Sequence, residues 1–276
     1  MHILMTTGGS THSELALQFG AHLLGTIQTS LWPTILTVIK AESDRERARE
    51  ILGHACRIVD PHCSQVNTKI RLGHPAEEII REAEEGQYKL AIVGEKQHHG
   101  LLTRFLLGST AQRVVEHAPC PVIIAKGHIG PVKRVLLCDS GVQDPSLLSR
   151  LDDQLPVLLQ SKPDVTVLHV MSQISAGPGV RGAQLRAEAE QLIAQHAPEG
   201  ELLQRDVDIL TRLGSHPRPK IRHGLVVDEI LAEAAQGDYG LVVIGVNRGE
   251  GWRRILLDDL AHQIIVQADR PVLVVR

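Results

Sequence analysis

Short apolar runs, each stopped by glycine or a polar turn, alternate along this chain with longer segments whose apolar residues recur at helical spacing. The first run, Ile3 to Thr7, ends at Gly8-Gly9-Ser10. Thr11 to Leu24 follows, with Leu15, Leu17, Phe19, Ala21 and Leu23–Leu24 forming its apolar side. Strand-like Thr34–Ile39 precedes a charged amphipathic helix over Ala41–Val59, in which Asp44-Arg45-Glu46-Arg47 reads as a solvated face. Thr68–Leu72 is a third strand and Gly73-His74-Pro75 a turn. Pro75–Glu85 is a helix with its acidic residues early, where the helix dipole favours them. Leu90–Val93 and Val122–Ala125 complete five strands. Such alternation predicts a parallel sheet with helices on both faces.

The stretch from Leu90 to Val122 recurs as Leu241 to Val272. Arg71-Leu72-Gly73, Glu77-Glu78-Ile79, Gly86-Gln87-Tyr88 and Ile92-Val93-Gly94 have counterparts at Arg222-His223-Gly224, Asp228-Glu229-Ile230, Gly237-Asp238-Tyr239 and Val243-Ile244-Gly245, each 151 positions later. A constant offset over so long a span makes the chain two copies of one module. Residues 1–126 form the first and 133–276 the second, with Lys126–Lys133 as linker. The second copy opens at Arg134–Asp139, continues through a strand over Asp164–Val170 and a polar stretch over Ser172–Gly182, and enters a helix over Ala183–His196. Extra residues are expected between that helix and Pro219. Two segments compete there for the third strand: Asp208–Gly214, which mimics a strand ending, and Lys220-Ile221-Arg222, which the offset favours.

At 276 residues two domains are the natural division. Hydrophobic residues are 43% and aromatics only 2%, so the cores are aliphatic. A net charge of −3 and the lack of a basic cluster interleaved with aromatics argue against nucleic acid as partner. No apolar run is long enough to span a membrane and no leader pattern opens the chain, so no membrane contact and a cytoplasmic location are expected. The cysteines at 56, 63, 120 and 138 lack disulfide-framework spacing and read as reduced thiols. His54, Cys56, His62 and Cys63 lie close together, but not at the paired spacing of a compact zinc site; no metal is expected.

With these motifs together, each half resembles a universal stress protein (UspA-like) domain, and the chain a tandem member of that family. HILMTTGGSTHS, GHPAEEII and IVGEKQHHGLLTRFLLGSTAQRVVEHAPCPVIIA carry the likeness in the first half. The resemblance implies two Rossmann-like, adenine nucleotide alpha hydrolase-like domains, each a five-stranded parallel sheet of order 3-2-1-4-5. It also implies an internal pseudo-dimer in which Val122–Ala125 meets Val272–Val275, hiding two aliphatic edges. A further homodimer is left open.

Nucleotide-binding members hold ATP with an Asp after strand one, backbone groups after strand two and a late glycine-rich loop around the phosphates. Carried onto the first half, this implies a site of Thr7, Gly8, Ile39, Val93, Gly94, His98, Gly108, Ser109 and Thr110. Glycines there allow close backbone approach, and helix-start N–H groups face the phosphate. The half departs from the pattern twice. The Asp position falls on Gly8, and the second loop glycine falls on His98 in a loop one residue longer. His99 lies beside it. In the second half Asp139 stands where the family Asp is expected and Gly245 matches, but Arg248 replaces the second glycine and Asp258-Asp259 the Gly-Ser pair. Acid groups there cap a helix and repel phosphate. ATP is therefore expected in the first half alone.

No Ser-His-Asp order, HExxH or GxxxxGK[ST] element appears, and no catalytic residue is assigned. His169, imagined beside Asp139 as an acid–base partner, reads as a packed structural histidine. Weak ATP hydrolysis is the most an enzyme reading allows. Two functions remain: a stress-response regulator that binds adenine nucleotide or another small anion and alters contacts with an unknown protein partner, and a ligand-free interaction module or binder of another small ligand.

Overall fold

The computed structural model describes residues 1–27, 32–62, 65–95, 107–141, 145–172, 187–246 and 259–276. Ten strands form one sheet in the order β3-β2-β1-β4-β5-β10-β9-β6-β7-β8. The first half supplies β1 (His2–Thr6), β2 (Trp32–Ile39), β3 (Asn67–Leu72), β4 (Leu90–Gly94) and β5 (Val122–Ala125). The second supplies β6 (Arg134–Cys138), β7 (Asp164–Met171), β8 (His216–His223), β9 (Leu241–Gly245) and β10 (Val272–Val275). Each half is parallel in the order 3-2-1-4-5, as the resemblance implies. The halves join where β10 runs antiparallel to β5, with Leu273 opposite Ile123.

Alternation along these strands feeds two cores, each continuous across both halves. Ile3, Met5, Ile123, Leu273 and Val275 face one side, with α1 (Thr11–Thr26), α2 (Arg45–Val59), α5 (Leu147–Gln154), α6 (Pro156–Gln160), α7 (Ala189–Ala194) and α8 (Pro198–Arg212). Leu4, Val122, Ile124 and Val274 face the other, with α3 (Pro75–Glu85), α4 (Ser109–His117), α9 (Val226–Gln236) and α10 (Asp259–Gln267).

The seam is tied by a reciprocal pair of buried cations. Lys126, just past β5, donates its ammonium to the carbonyls of Ile265 (2.9 Å) and Val266 (2.6 Å) in the last turn of α10. Arg276, just past β10, reaches the carbonyl of Val115 in the last turn of α4. Each half thus caps a helix of the other, at the end where the macrodipole is negative. Burial pulls the Lys126 ammonium down to about 8, while Glu95 and Asp269 pull the other way. The linker is not slack. Gly127, at φ +60, lies so close to the Asp269 carbonyl that a Cβ would sit 1.9 Å from it.

The repeat signature resolves into a structural network rather than a ligand loop. Glu82, 2% exposed, accepts from Arg71 (2.8 Å), Lys69 (2.5 Å) and Tyr88 (3.0 Å). Its counterpart Glu233 accepts from Arg222 (2.8 Å), Lys220 (2.7 Å) and Tyr239 (2.7 Å). Gly86 and Gly237 pass so near the tyrosine rings that a Cβ would meet them at 2.2 and 2.0 Å. Burial pushes both carboxyls up, but the donated hydrogen bonds outweigh it and hold them below the usual range.

The second half settles one open point of the sequence map, as the offset favoured, and departs from the map elsewhere. β8 contains Lys220–Arg222, and the competing segment from Asp208 lies on α8 and the turn after it. The helix expected over Ala183–His196 is shorter: α7 spans Ala189–Ala194, and 173–186 lie outside the described residues. The extra residues precede α8 rather than follow α7. β1 and β6, and likewise β2 and β7, start 132 positions apart, while β3 is matched 151 positions later in β8. The α1 counterpart is split into α5 and α6 at Pro156, which has no N–H to continue a helix.

The two sheet edges are blunted differently. Gly73 and Gly224 donate to the last carbonyls of β2 and β7. By two-residue alternation, the N–H groups of Thr68, Ile70 and Leu72 therefore point away from the sheet, as do those of positions 217, 219, 221 and 223. Two of the latter are Pro217 and Pro219, so β8 lacks donors there, whereas β3 keeps all three; both edges carry charge, Lys69 and Arg71 on β3 and Arg218, Lys220 and Arg222 on β8.

Candidate functional site

β1 and β4 are neighbours, and α1 and α4 start beside their carboxyl ends. The connection after β1 leads to β2 on one side and that after β4 to β5 on the other, so this crevice is where a ligand of an open parallel sheet sits. Thr7 closes β1. Its hydroxyl accepts from the Gly9 N–H (3.2 Å) and lies 3.2 Å from the Ser13 hydroxyl, and its carbonyl accepts from Thr37 (2.9 Å). Gly9 takes φ +74, which lets the chain turn sharply into α1. Ser13 accepts from the Gly8 N–H (3.2 Å) and the Ser10 N–H (3.0 Å), so the loop is cross-braced by one hydroxyl. Gly8 is exposed, with nothing within 4 Å of the position a Cβ would take.

Gly94 is fixed by packing. A Cβ would lie 2.2 Å from the His12 carbonyl, so only glycine lets α1 start this close to β4. Val93 is buried in the core and Ile39 ends β2 with its carbonyl accepting from the Gly73 N–H (2.9 Å). Ser109 is exposed and Thr110 half-buried in the first turn of α4. His98, His99 and Arg248 lie outside the described residues, as does Asp258; Asp259 begins α10.

The decisive group is one the sequence reading passed over. Glu95, 6% exposed and directly after β4, accepts the Gly108 N–H at 2.9 Å. A carboxylate of the protein therefore occupies the start of α4, where the first half was expected to present open backbone amides. This corrects the expected contrast between an open first half and an acid-filled second. Position 246, the counterpart of Glu95 by offset, is a buried valine whose carbonyl accepts from Arg150 (3.0 Å). The signal was legible: a charged residue directly after the glycine that ends a buried apolar strand.

In the second half the β1–Asp correspondence shifts by one residue. Thr7 donates its N–H to Leu36 and Asp139 donates to Leu168, a common offset of 132, so Asp139 matches Thr7 rather than Gly8. Each side chain holds the same turn: Asp139 accepts from the Gly141 N–H at 2.8 Å, as Thr7 does from Gly9. His169 donates its Nδ1–H to the Asp139 carbonyl (3.0 Å), a structural tie as expected.

Asp139 is 4% exposed and faces Asp206 of α8, which is 0% exposed. Arg205 spans both, 3.2 Å from Asp139 Oδ2 and 2.9 Å from Asp206 Oδ1. Asp206 sits with Leu203 and Leu210 on the buried stripe of α8, a placement visible in the sequence as a carboxyl at an apolar position. Burial and the neighbouring Asp139 push the Asp206 carboxyl up to about 7.

Among the described residues, no group of three His, Cys, Asp or Glu is arranged to hold a metal ion. Cys63 lies outside those residues, and burial raises the thiols of Cys56, Cys120 and Cys138. No described helix is long and apolar enough to cross a membrane.

Comparison with known proteins places this scaffold. A sequence model of the Universal stress protein family matches residues 1–126 and again 133–276. A universal stress protein of Mycolicibacterium smegmatis is 24% identical over 302 aligned positions, covering 99% of this chain and 96% of that protein. One from Methanocaldococcus jannaschii is 33% identical over 95 residues, which is 34% of this chain and 52% of its own length. In fold, the chain is similar to a universal stress protein from Archaeoglobus fulgidus, with a TM-score of 0.74, 18% identity, and coverage of 100% and 98%.

Proposed function

Because this chain belongs to the universal stress protein family, as both halves attest, we propose that it is a stress-response regulator whose first half takes an adenine nucleotide. Ligand binding at the carboxyl ends of β1, β2 and β4 would alter contacts with a protein partner in the cytoplasm. The observation that carries this reading is the open space over Gly8, at the switch point of the first half. Thr7 and Gly8 flank the ligand, backbone at Ile39 and Val93 borders the base, and Gly94, Gly108, Ser109 and Thr110 line the phosphate side; His98, implied by the resemblance, lies outside the described residues. Glu95 sets the order of preference. A charge facing a like charge costs about 1 kcal/mol in water and several-fold more in a half-buried pocket. Adenine nucleotides with fewer phosphates therefore bind ahead of ATP.

A second reading is favoured by the same carboxylate. With Gly108 already occupied by Glu95 and the second pocket filled by Asp139, Asp206 and Arg205, the chain is a ligand-free interaction module. Equilibrium dialysis of labelled ATP and AMP separates the two. The regulator reading expects binding by the wild type, stronger for AMP, and its loss in Gly108→Asp. Binding absent from the wild type but present in Glu95→Gln assigns Glu95 as the permanent occupant and supports the module. Absence from both removes the nucleotide altogether.

A further inference from the structure

The second half contains a buried pair of carboxyls that the nucleotide reading does not use. Asp139 leaves the end of β6 and Asp206 faces it from α8, both almost fully buried. Two like charges in such a place cannot both be ionised without large repulsion. Among the described residues, the charged and polar groups that face them are few. Arg205 on α8 contacts both carboxyls, the Gly141 N–H binds Asp139 Oδ1, and His169 on β7 donates to the Asp139 backbone carbonyl. One guanidinium thus serves two acids, and it is itself 42% exposed.

An independent feature marks where the imbalance falls. Asp206 Oδ2 is buried without a hydrogen-bond partner, while Oδ1 takes Arg205. A buried carboxylate oxygen with nothing to bind it makes the ionised form costly, and a proton at that position removes the cost. Asp139, with a backbone N–H and Arg205 on its two oxygens, is the better-served partner.

We propose that Asp139 and Asp206 form a proton-binding site that docks α8 against the end of β6 when they share one proton and loosens α8 when both ionise. The raised Asp206 carboxyl puts the change near neutral pH. The device belongs to the second half alone. By offset, Asp206 matches Ala55 and Asp139 matches Thr7, so α2 meets β1 with no carboxyl pair.

That difference supplies an internal control for hydrogen–deuterium exchange, corrected for intrinsic rates, on the full chain between pH 5.5 and 8.5. Protection of residues 198–212 should fall at least tenfold relative to residues 45–59 as pH rises. Asp206→Asn, which keeps shape and removes the titrating group, should abolish the slope. If Asp206→Asn does not fold, Asp139→Asn is read instead and should flatten the slope by removing the repelling charge. A wild-type ratio that stays constant with pH, or a slope that survives in the folded variant, overturns the proposal.

Discussion

Thr7 and Asp139 occupy one position in two copies of the same module, and they hold the same turn with different chemistry. The hydroxyl needs no counter-charge, and the helix behind it presents Ala55. The carboxylate faces Asp206 and shares Arg205 with it, and the second half carries a longer connection before α8. At the other side of each crevice the contrast is reversed: Glu95 guards α4 in the first half, where the second has Val246. Both pockets are thus partly filled from within, by acids arriving from different elements. Scaffold contacts diverged little after duplication, because each is over-determined by packing. The pocket-facing positions differ: Thr7 against Asp139, Ala55 against Asp206 and Glu95 against Val246.

The comparison breaks first if the shared network is not equivalent. Glu82→Ala and Glu233→Ala each remove a buried carboxylate shared by a largely buried arginine, a half-exposed lysine and a buried tyrosine. Each should cost about 3 kcal/mol, measured by urea denaturation at pH 7. A loss in only one half would show that the two copies are not held alike. Because both carboxyls lie below their usual range, this contribution is present above about pH 4.5 and is lost as pH falls further.

Glycines in the first crevice should separate next. Gly94→Ala forces a Cβ into the His12 carbonyl and should cost about 2 kcal/mol, whereas Gly8→Ala, with open space, should shift the melting temperature little. Equal effects would mean that Gly94 is not set by the approach of α1.

The buried acids give the third test. For Asp206 the folded carboxyl lies above its unfolded value of 3.8, so the folded state holds an extra proton between about pH 4 and 7. Stability therefore declines as pH rises through that window. Asp206→Asn should be more stable than wild type at pH 8 by about 1–2 kcal/mol, a gain that vanishes near pH 4. Thermal melts across pH check the sign.

The smallest effect is expected at the sheet edges. Restoring donors with Pro217→Thr and Pro219→Thr should raise self-association at high concentration, read by sedimentation velocity, without changing the fold. Unchanged association would assign no protective role to the prolines.

Much of the fold was legible because it rests on local signals. The runs at Leu90–Val93 and Val122–Ala125 are apolar on both faces, which only a doubly covered strand requires, and the offset of 151 was carried by Arg71, Glu78, Gly86 and Tyr88 for packing reasons. Although the offset favoured Lys220–Arg222 as the strand, the α8 region stayed ambiguous because Asp208 to Gly214 has the composition of a strand ending. Its helical identity depends on Leu203, Asp206 and Leu210 meeting the sheet. The candidate site was less legible. Gly94 and Gly108 stand where a phosphate loop would need them, yet the same glycines are explained by the close approach of α1 and the nearby Glu95 carboxylate.

By itself the sequence determined the duplication and the parallel, doubly covered strands of each half, since periodicity and repeated spacing are properties of the chain read in one dimension; the strand order and the meeting of β5 with β10 were implied by the family resemblance, and the structure gave that pairing its antiparallel sense. Only the tertiary structure decided that Glu95 caps α4, that Asp206 faces Asp139, and that Lys126 and Arg276 exchange helix ends across the seam. Those contacts join residues 13 to 161 positions apart. Which charge meets which backbone group at such range is settled by how the sheet brings strand ends together, and no local pattern encodes it.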